Sequence, residues 1–453
     1  MMKKFLLFVL VVSILVTFVG CGADKKQQNE VETTSQLSTS KDEEKTTSPS
    51  EEKGTIEIMW QQEVTEKFWD YPLEQFKAKY PNVEVKFDSN PKASEAIRNR
   101  LSSGDVPDIF YTWSSEIDYF GIIKENLLYS VDELLNEKTF ENDTTINERL
   151  FKPGVDLGAV DGKHYLLPVS KLLACNFYSG KFFKENNLTA PKTWDEFLKL
   201  AAAIKKLDKV NPLIYAGTYP FMFGDAFIFP SINNLDAKAV EAINNNDPGA
   251  WKNPAVLTVM KRIQDMRDKG FIDKNSLAMD HIQSQIEFIN NKAAIVPTGT
   301  WVEGEMEDQW PQGFDLQPLL APTETDGKAS VVSIIESMVL PKKEDTKNLK
   351  YVTELVKLFY SNENVARCVK NTGFLIGVQA QDEGIMKLLP KSAQTAWALA
   401  ADSNVALVNP AFKLKYKDLL TEYNNNINAL VSSQINAEQF CDNLDKKAKE
   451  ISK

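Results

Sequence analysis

The sequence predicts a two-lobe α/β protein, each lobe a mostly parallel sheet flanked by helices. Three observations lead there. The chain has 453 residues, more than one simple hydrophobic core organises, so two lobes are expected. Strand and helix patterns alternate from Gly54 to Tyr111 in βαβαβ order, which implies parallel strands covered by helices. The segment from Asp161 to Phe197 holds a mostly apolar run, Tyr165 to Tyr178, interrupted by Pro168 and Ser170. That run is too long for an ordinary buried strand. It reads as chain that leaves one lobe, crosses open space and enters a second.

The chain begins with Lys3 and Lys4 before an apolar run from Phe5 to Val19, a charged region and a core of signal-peptide length that is too short for a comfortable membrane span. We assign residues 1–20 to a signal peptide. Phe18-Val19-Gly20-Cys21 resembles the lipobox of bacterial lipoproteins, which implies lipidation of Cys21 and a body held on the outer face of the cell membrane. Residues 21–53 then form a tether. From Asp24 to Lys53 the chain is rich in Ser, Thr, Lys, Glu and Gln and lacks aromatic residues, so it buries too little apolar surface to offset its ordering entropy.

In the first lobe, Ile56, Ile58 and Trp60 alternate along a strand. A helix follows with Asp70 and Pro72 at its start and Pro81 beyond its end. Val83, Val85 and Phe87 form a second strand, Ala96, Ile97 and Leu101 a second helix, and Pro107-Asp-Ile-Phe-Tyr a third strand. Ligands of open α/β sheets sit beyond the carboxyl ends of the strands. That rule selects Trp60-Gln61-Gln62-Glu63 and Trp113-Ser114-Ser115-Glu116. Each loop sets an aromatic ring beside amides, hydroxyls or a carboxylate. A sugar calls for that pairing, because its C–H face stacks on an aromatic ring and its hydroxyls take charge-assisted hydrogen bonds.

The second lobe opens with a capping box, Thr193 and Glu196, ahead of an apolar face of Phe197, Leu200, Ala201 and Ile204. A strand over 212–216 leads into the aromatic loop Gly217 to Asp225, whose Tyr219, Phe221 and Phe223 are candidates for a ligand wall, with Asp225 a further candidate contact. Leu316 to Pro322 is expected as a first-lobe strand, and the helices after Pro341 as part of the second lobe.

Several segments resemble the bacterial extracellular solute-binding proteins that serve sugar ABC importers. They are Asp161-Gly-Lys-His-Tyr-Leu-Leu-Pro168, Pro191-Lys-Thr-Trp-Asp-Glu-Phe197, Lys79-Tyr-Pro-Asn-Val-Glu-Val85, Gly104-Asp-Val-Pro-Asp-Ile109 and Ala293 to Trp301. The resemblance implies the periplasmic-binding-protein-like fold with three hinge crossings, near Leu172–Cys175, Pro297–Gly299 and Ile334–Ser337. It makes Trp301 a wall of the sugar site, puts Glu336 in the cleft, and sets Gly373 in a loop near the ligand. It implies lobes of 54–172 plus 299–334 and 173–298 plus 335–453. The chain is then expected to capture a mono- or oligosaccharide as a monomer, with no cofactor, and to deliver it to the permease subunits of an ABC transporter.

The net charge of −11 disfavours nucleic acid as a partner. Cys175, Cys368 and Cys441 are odd in number and show no metal spacing, so buried free thiols are expected. His164 and His281 stand far apart and read as structural histidines. No nucleophile elbow, zinc motif, phosphate loop or dinucleotide fingerprint occurs, which disfavours an enzyme. Two alternatives stay open: an anchored glycan hydrolase using Glu63, Glu116 or Glu336, and the same fold holding a peptide, polyamine or amino acid.

Overall fold

The computed structural model describes residues 53–207, 209–324, 328–379 and 383–452. The signal peptide, Cys21 and the tether as far as residue 52 lie outside the described residues.

Three parallel strands form a small sheet: β1 (Gly54–Gln61), β2 (Val83–Asn90) and β3 (Ile109–Tyr111), in the order β2-β1-β3. They are joined through α1 (Asp70–Lys79) and α2 (Ala93–Ser103). Gly104 ends α2 at φ 77°, a left-handed geometry that costs glycine little.

The larger sheet is organised around β4 (Leu167–Ser179), thirteen residues long and buried along nearly its whole length. After it come α3 (Trp194–Ile204), capped by Thr193 and Glu196 as expected, β5 (Asn211–Leu213), α4 (His281–Ile289), β6 (Ala293–Gly299), β7 (Leu316–Leu319) and β8 (Ala329–Met338). Then follow α5 (Leu349–Phe359) and α6 (Asn362–Thr372), β9 (Leu375–Ile376) and β10 (Val405–Val408). The sheet order is β10-β8-β4-β6-β5, with β7 and β9 also on β4. Its outer pairs, β10 with β8 and β5 with β6, are parallel. The pairs made by β4 are antiparallel.

The three segments expected to cross between lobes lie side by side. Ile334 pairs with Leu172 and Ala174 with Gly299. Thr300 N–H donates to the Leu173 carbonyl at 2.9 Å. Beyond Met338 the chain reaches the small sheet, where Val339 and Phe110 exchange backbone hydrogen bonds of 2.9 and 3.0 Å.

Two assignments need correction. The segment expected as a first-lobe strand, β7, pairs instead with residues 176–179 of β4. The length of β4 carries its second half into the larger sheet, where that half takes an antiparallel partner. The helices α5 and α6, expected with the second lobe, pack against the small sheet. Phe359 meets Trp60, Phe68 and Trp69, and the Asn364 amide donates to the Phe68 carbonyl at 3.0 Å. Their apolar faces are evident in the sequence, but a face does not specify its partner.

Candidate functional site

Alternation along the crossing strands builds the floor of a cavity. Side chains two apart on a strand share a face. Ser170 and Leu172 of β4 therefore lie beside their cross-strand partners Glu336 and Ile334 of β8, and all four line one cavity. Their neighbours on the opposite face, Leu173 and Cys175, pack with Phe177, Val296 and Val331 in a separate apolar cluster. The register shifts at Glu336 and Ser337, where β4 carries one extra residue. Such a bulge re-aims the side chains around it.

The roof comes from the carboxyl ends of β1 and β3. Glu63 accepts from Tyr111 Oη at 2.8 Å, and also from Trp113 Nε1 and Thr65 Oγ1. Burial pushes its carboxyl up while these three donors pull it down. Trp113 is thereby held with its indole edge tied to Glu63, and it meets Tyr219 and His281 edge-on at centroid distances of 6.2 Å. Ser114 closes the far side: its N–H and Oγ donate to Glu336 at 2.9 and 3.2 Å.

Trp301 forms a wall and is only 7% exposed. A Cβ on Gly299 would lie 1.9 Å from its ring, so the indole position requires glycine there. Glu305, one helical turn on, accepts from Gln285 Nε2 at 3.0 Å and lies 3.8 Å from His281 Nε2. Burial pushes both Glu305 and Glu336 up to about 7, with the charge of Glu63 adding to each, and pushes His281 down. Phe221, Met222 and Phe374 complete the apolar lining.

Of the residues singled out in the sequence, the structure gathers Glu63, Trp113, Trp301 and Glu336 around this cavity. Ser114 contributes through Glu336 and lines an adjoining recess of about 480 Å³. Tyr219 stands behind Trp113. Glu116 is not a wall residue, and its carboxylate faces Tyr219 and Lys417.

The other candidates fall elsewhere. Trp60 is fully buried against Trp69 and Tyr111, with its Nε1 donating to Thr65 Oγ1 at 3.0 Å. It shares the inward face of Ile56 and Ile58, so alternation sends it into the core. Gln62 is exposed. Phe223 packs on Tyr215 and Phe227 in the core. Asp225 is ion-paired with Lys413 in the adjoining recess. Gly373 caps α6 at φ 72°, facing Pro390, and its neighbour Phe374 reaches the cavity instead.

Glu305 had no role in the sequence, and His281, expected as a structural histidine, lines the cavity instead. His281 follows Asp280, which caps α4 with Gln283, so its place at a helix start was legible, but what that start faces was not. His164 is the structural histidine expected, with Nδ1 2.7 Å from Asp132. The three thiols at 175, 368 and 441 are free and buried.

Two α/β units bridged by adjacent strands, with a mixed aromatic and acidic cavity at the bridge, define a protein built to enclose a small solute. The fold matches solved structures over most of their length. For a chitin oligosaccharide binding protein the TM-score is 0.71 at 19% identity, covering 87% of this chain and 98% of that one. For a solute-binding protein solved in complex with raffinose it is 0.68 at 18%, covering 86% and 98%. In sequence, the chain is 25% identical over 315 residues to the multiple sugar-binding protein of Streptococcus mutans, spanning 68% of this chain and 71% of that protein. It is 27% identical over 271 residues to a diacetylchitobiose binding protein of Streptomyces coelicolor, spanning 57% and 55%. Residues 61–366 match the family described as bacterial extracellular solute-binding protein, and the chain belongs to that family. Among the described residues, no helix is long and apolar enough to cross a membrane.

Proposed function

We propose that this protein captures a carbohydrate in the cavity between its two lobes, outside the cell, and hands it unchanged to the permease of an ABC importer. One observation carries the reading: Trp113 and Trp301 wall the same enclosure that holds Glu63, Glu305 and Glu336. Aromatic faces for sugar C–H groups and carboxylates for hydroxyls occur together there. The relatives named for sugars support it.

In this reading the first lobe gathers β1–β3 with α5 and α6, and the second gathers the outer part of the larger sheet. The three adjacent crossings flex as the hinge. Ligand that touches both lobes only in the closed form shifts the population towards closure. The protein works as a monomer anchored through lipid on Cys21. Replacing Cys21 by Ala then releases it from the membrane fraction.

The test is a thermal melt of the full-length chain against saccharides, amino acids and polyamines, with the ligand analysed afterwards. A saccharide at about 100 times its Kd adds roughly 2.7 kcal/mol of stability, and it is recovered intact. Shortened products would replace binding by hydrolysis. A response only to amino acids or polyamines would move the ligand class.

A further inference from the structure

The charge lining this cavity is one-sided. Glu63, Glu305 and Glu336 all face it, and no Lys or Arg is among its lining residues. Of the nearby cations, Lys413 is ion-paired with Asp225 in the adjoining recess, where its charge also acts on Glu336, and Lys417 faces Glu116 and Asp118. His281, the remaining basic group at the wall, is held towards its neutral form by burial.

The three carboxylates are not equivalent. Glu63 has three internal donors on its two oxygens. Glu336 has two, both from Ser114. Glu305 has the Gln285 amide on one oxygen, and His281 stands 3.8 Å from the other. Acceptor capacity therefore remains on Glu305 and Glu336, since each ionised carboxylate offers about four lone-pair sites.

A further group points to a ligand at the same place. Ser170 is 1% exposed, lines the cavity beside Glu336, and its Oγ has no hydrogen-bond partner. A buried hydroxyl left unpaired is costly. Its natural complement is a polar ligand group lying across the β4–β8 floor.

Resting on the reading above, we propose that this cavity takes a saccharide bearing a protonated amine, a 2-amino-2-deoxy sugar unit, in preference to the neutral or N-acetylated unit. A neutral sugar meets these buried carboxyls through neutral hydrogen bonds alone. An ammonium brings three donors and a positive charge. The rings of Trp113 and Trp301 hold the apolar face of the same unit, which distinguishes this ligand from a linear polyamine.

The experiment uses the full-length chain and three probes: the glucosamine disaccharide, its N-acetylated counterpart and the neutral glucose disaccharide of the same linkage. Calorimetry in two buffers at pH about 6, below the usual range of such amines, reads affinity and proton exchange together. The amine form is expected to bind roughly tenfold or more tightly than either competitor. It is also expected to release protons, because the ammonium drives Glu305 and Glu336 to ionise. Glu305→Gln narrows the preference. If that variant does not fold, proton release by the unmodified chain decides. Equal or tighter binding of the N-acetylated or neutral form, or binding of the amine form without proton release, overturns the preference and leaves carbohydrate capture standing. Failure of all three, with other saccharides also silent, overturns both.

Discussion

Glu305 and Glu336 are each pushed up to about 7 by burial, so in the empty cavity they hold protons that an unfolded chain would lose near pH 4.5. Between those limits the native state binds more protons than the unfolded one, and stability falls as pH rises. The ligand-free protein is expected to lose melting temperature between pH about 5 and about 8, with Glu305→Gln flattening that slope by on the order of 1–3 °C. A slope unchanged in the variant would mean that Glu305 ionises as in water. The tryptophans separate by role. Trp301→Ala is expected to weaken saccharide binding roughly tenfold or more. Trp60→Phe removes the hydrogen bond to Thr65, costs about 1 kcal/mol of stability and leaves the cavity wall in place. Titration of the two variants side by side checks this. The distinction between Trp60 and Trp113 was present in the sequence. Trp60 continues the inward alternation of Ile56 and Ile58, whereas Trp113 lies two residues beyond Tyr111, past the strand end. His281 and Glu305 gave no comparable sign, because their partners lie on other elements.

Among the strands and helices, β6 shows how backbone chemistry sets the site. Gly299 sits opposite Ala174, and the absence of a side chain there makes room for the Trp301 ring. Gly299→Ala is expected to force the ring aside and weaken binding roughly tenfold, with a smaller loss of melting temperature than a core truncation gives. Unchanged affinity would show that the ring relaxes without consequence. Elements with local punctuation were legible in the sequence: β1 and β2 from alternation, β3 from the short apolar run after Pro107, α1 from its prolines, α3 from its capping box. The β4 crossing was legible as a long apolar run, but it is one buried strand of thirteen residues and not chain crossing open space. Which sheet receives α5, and where β7 pairs, depended on contacts between residues far apart in the chain. For Phe359 the sequence specifies that the residue is buried, but not that Trp60 and Trp69 cover it.

Across the molecule, side chains from the small-sheet end and from the larger-sheet side meet around the cavity. Trp113 lies against Tyr219 and His281, and Ser114 is tied to Glu336. The Ser114–Glu336 contact is one that opening would break, so it bears on an equilibrium that ligand can shift. Ser114→Gly deletes the Oγ bond while keeping the N–H donor, and is expected to shift the empty protein towards the open form. Small-angle scattering checks this as a larger radius of gyration without ligand, restored at saturation. An unchanged radius in both states would place the hinge elsewhere.

The most direct measurement is a tryptophan fluorescence titration of the full-length chain with the saccharide that stabilises it most, run beside Trp301→Phe. A saturable change is expected in the unmodified protein, at the concentration that raises the melting temperature, and a reduced amplitude with weaker affinity in the variant. An identical titration in the two proteins, or no saturable change with any saccharide, would contradict a carbohydrate site walled by Trp301.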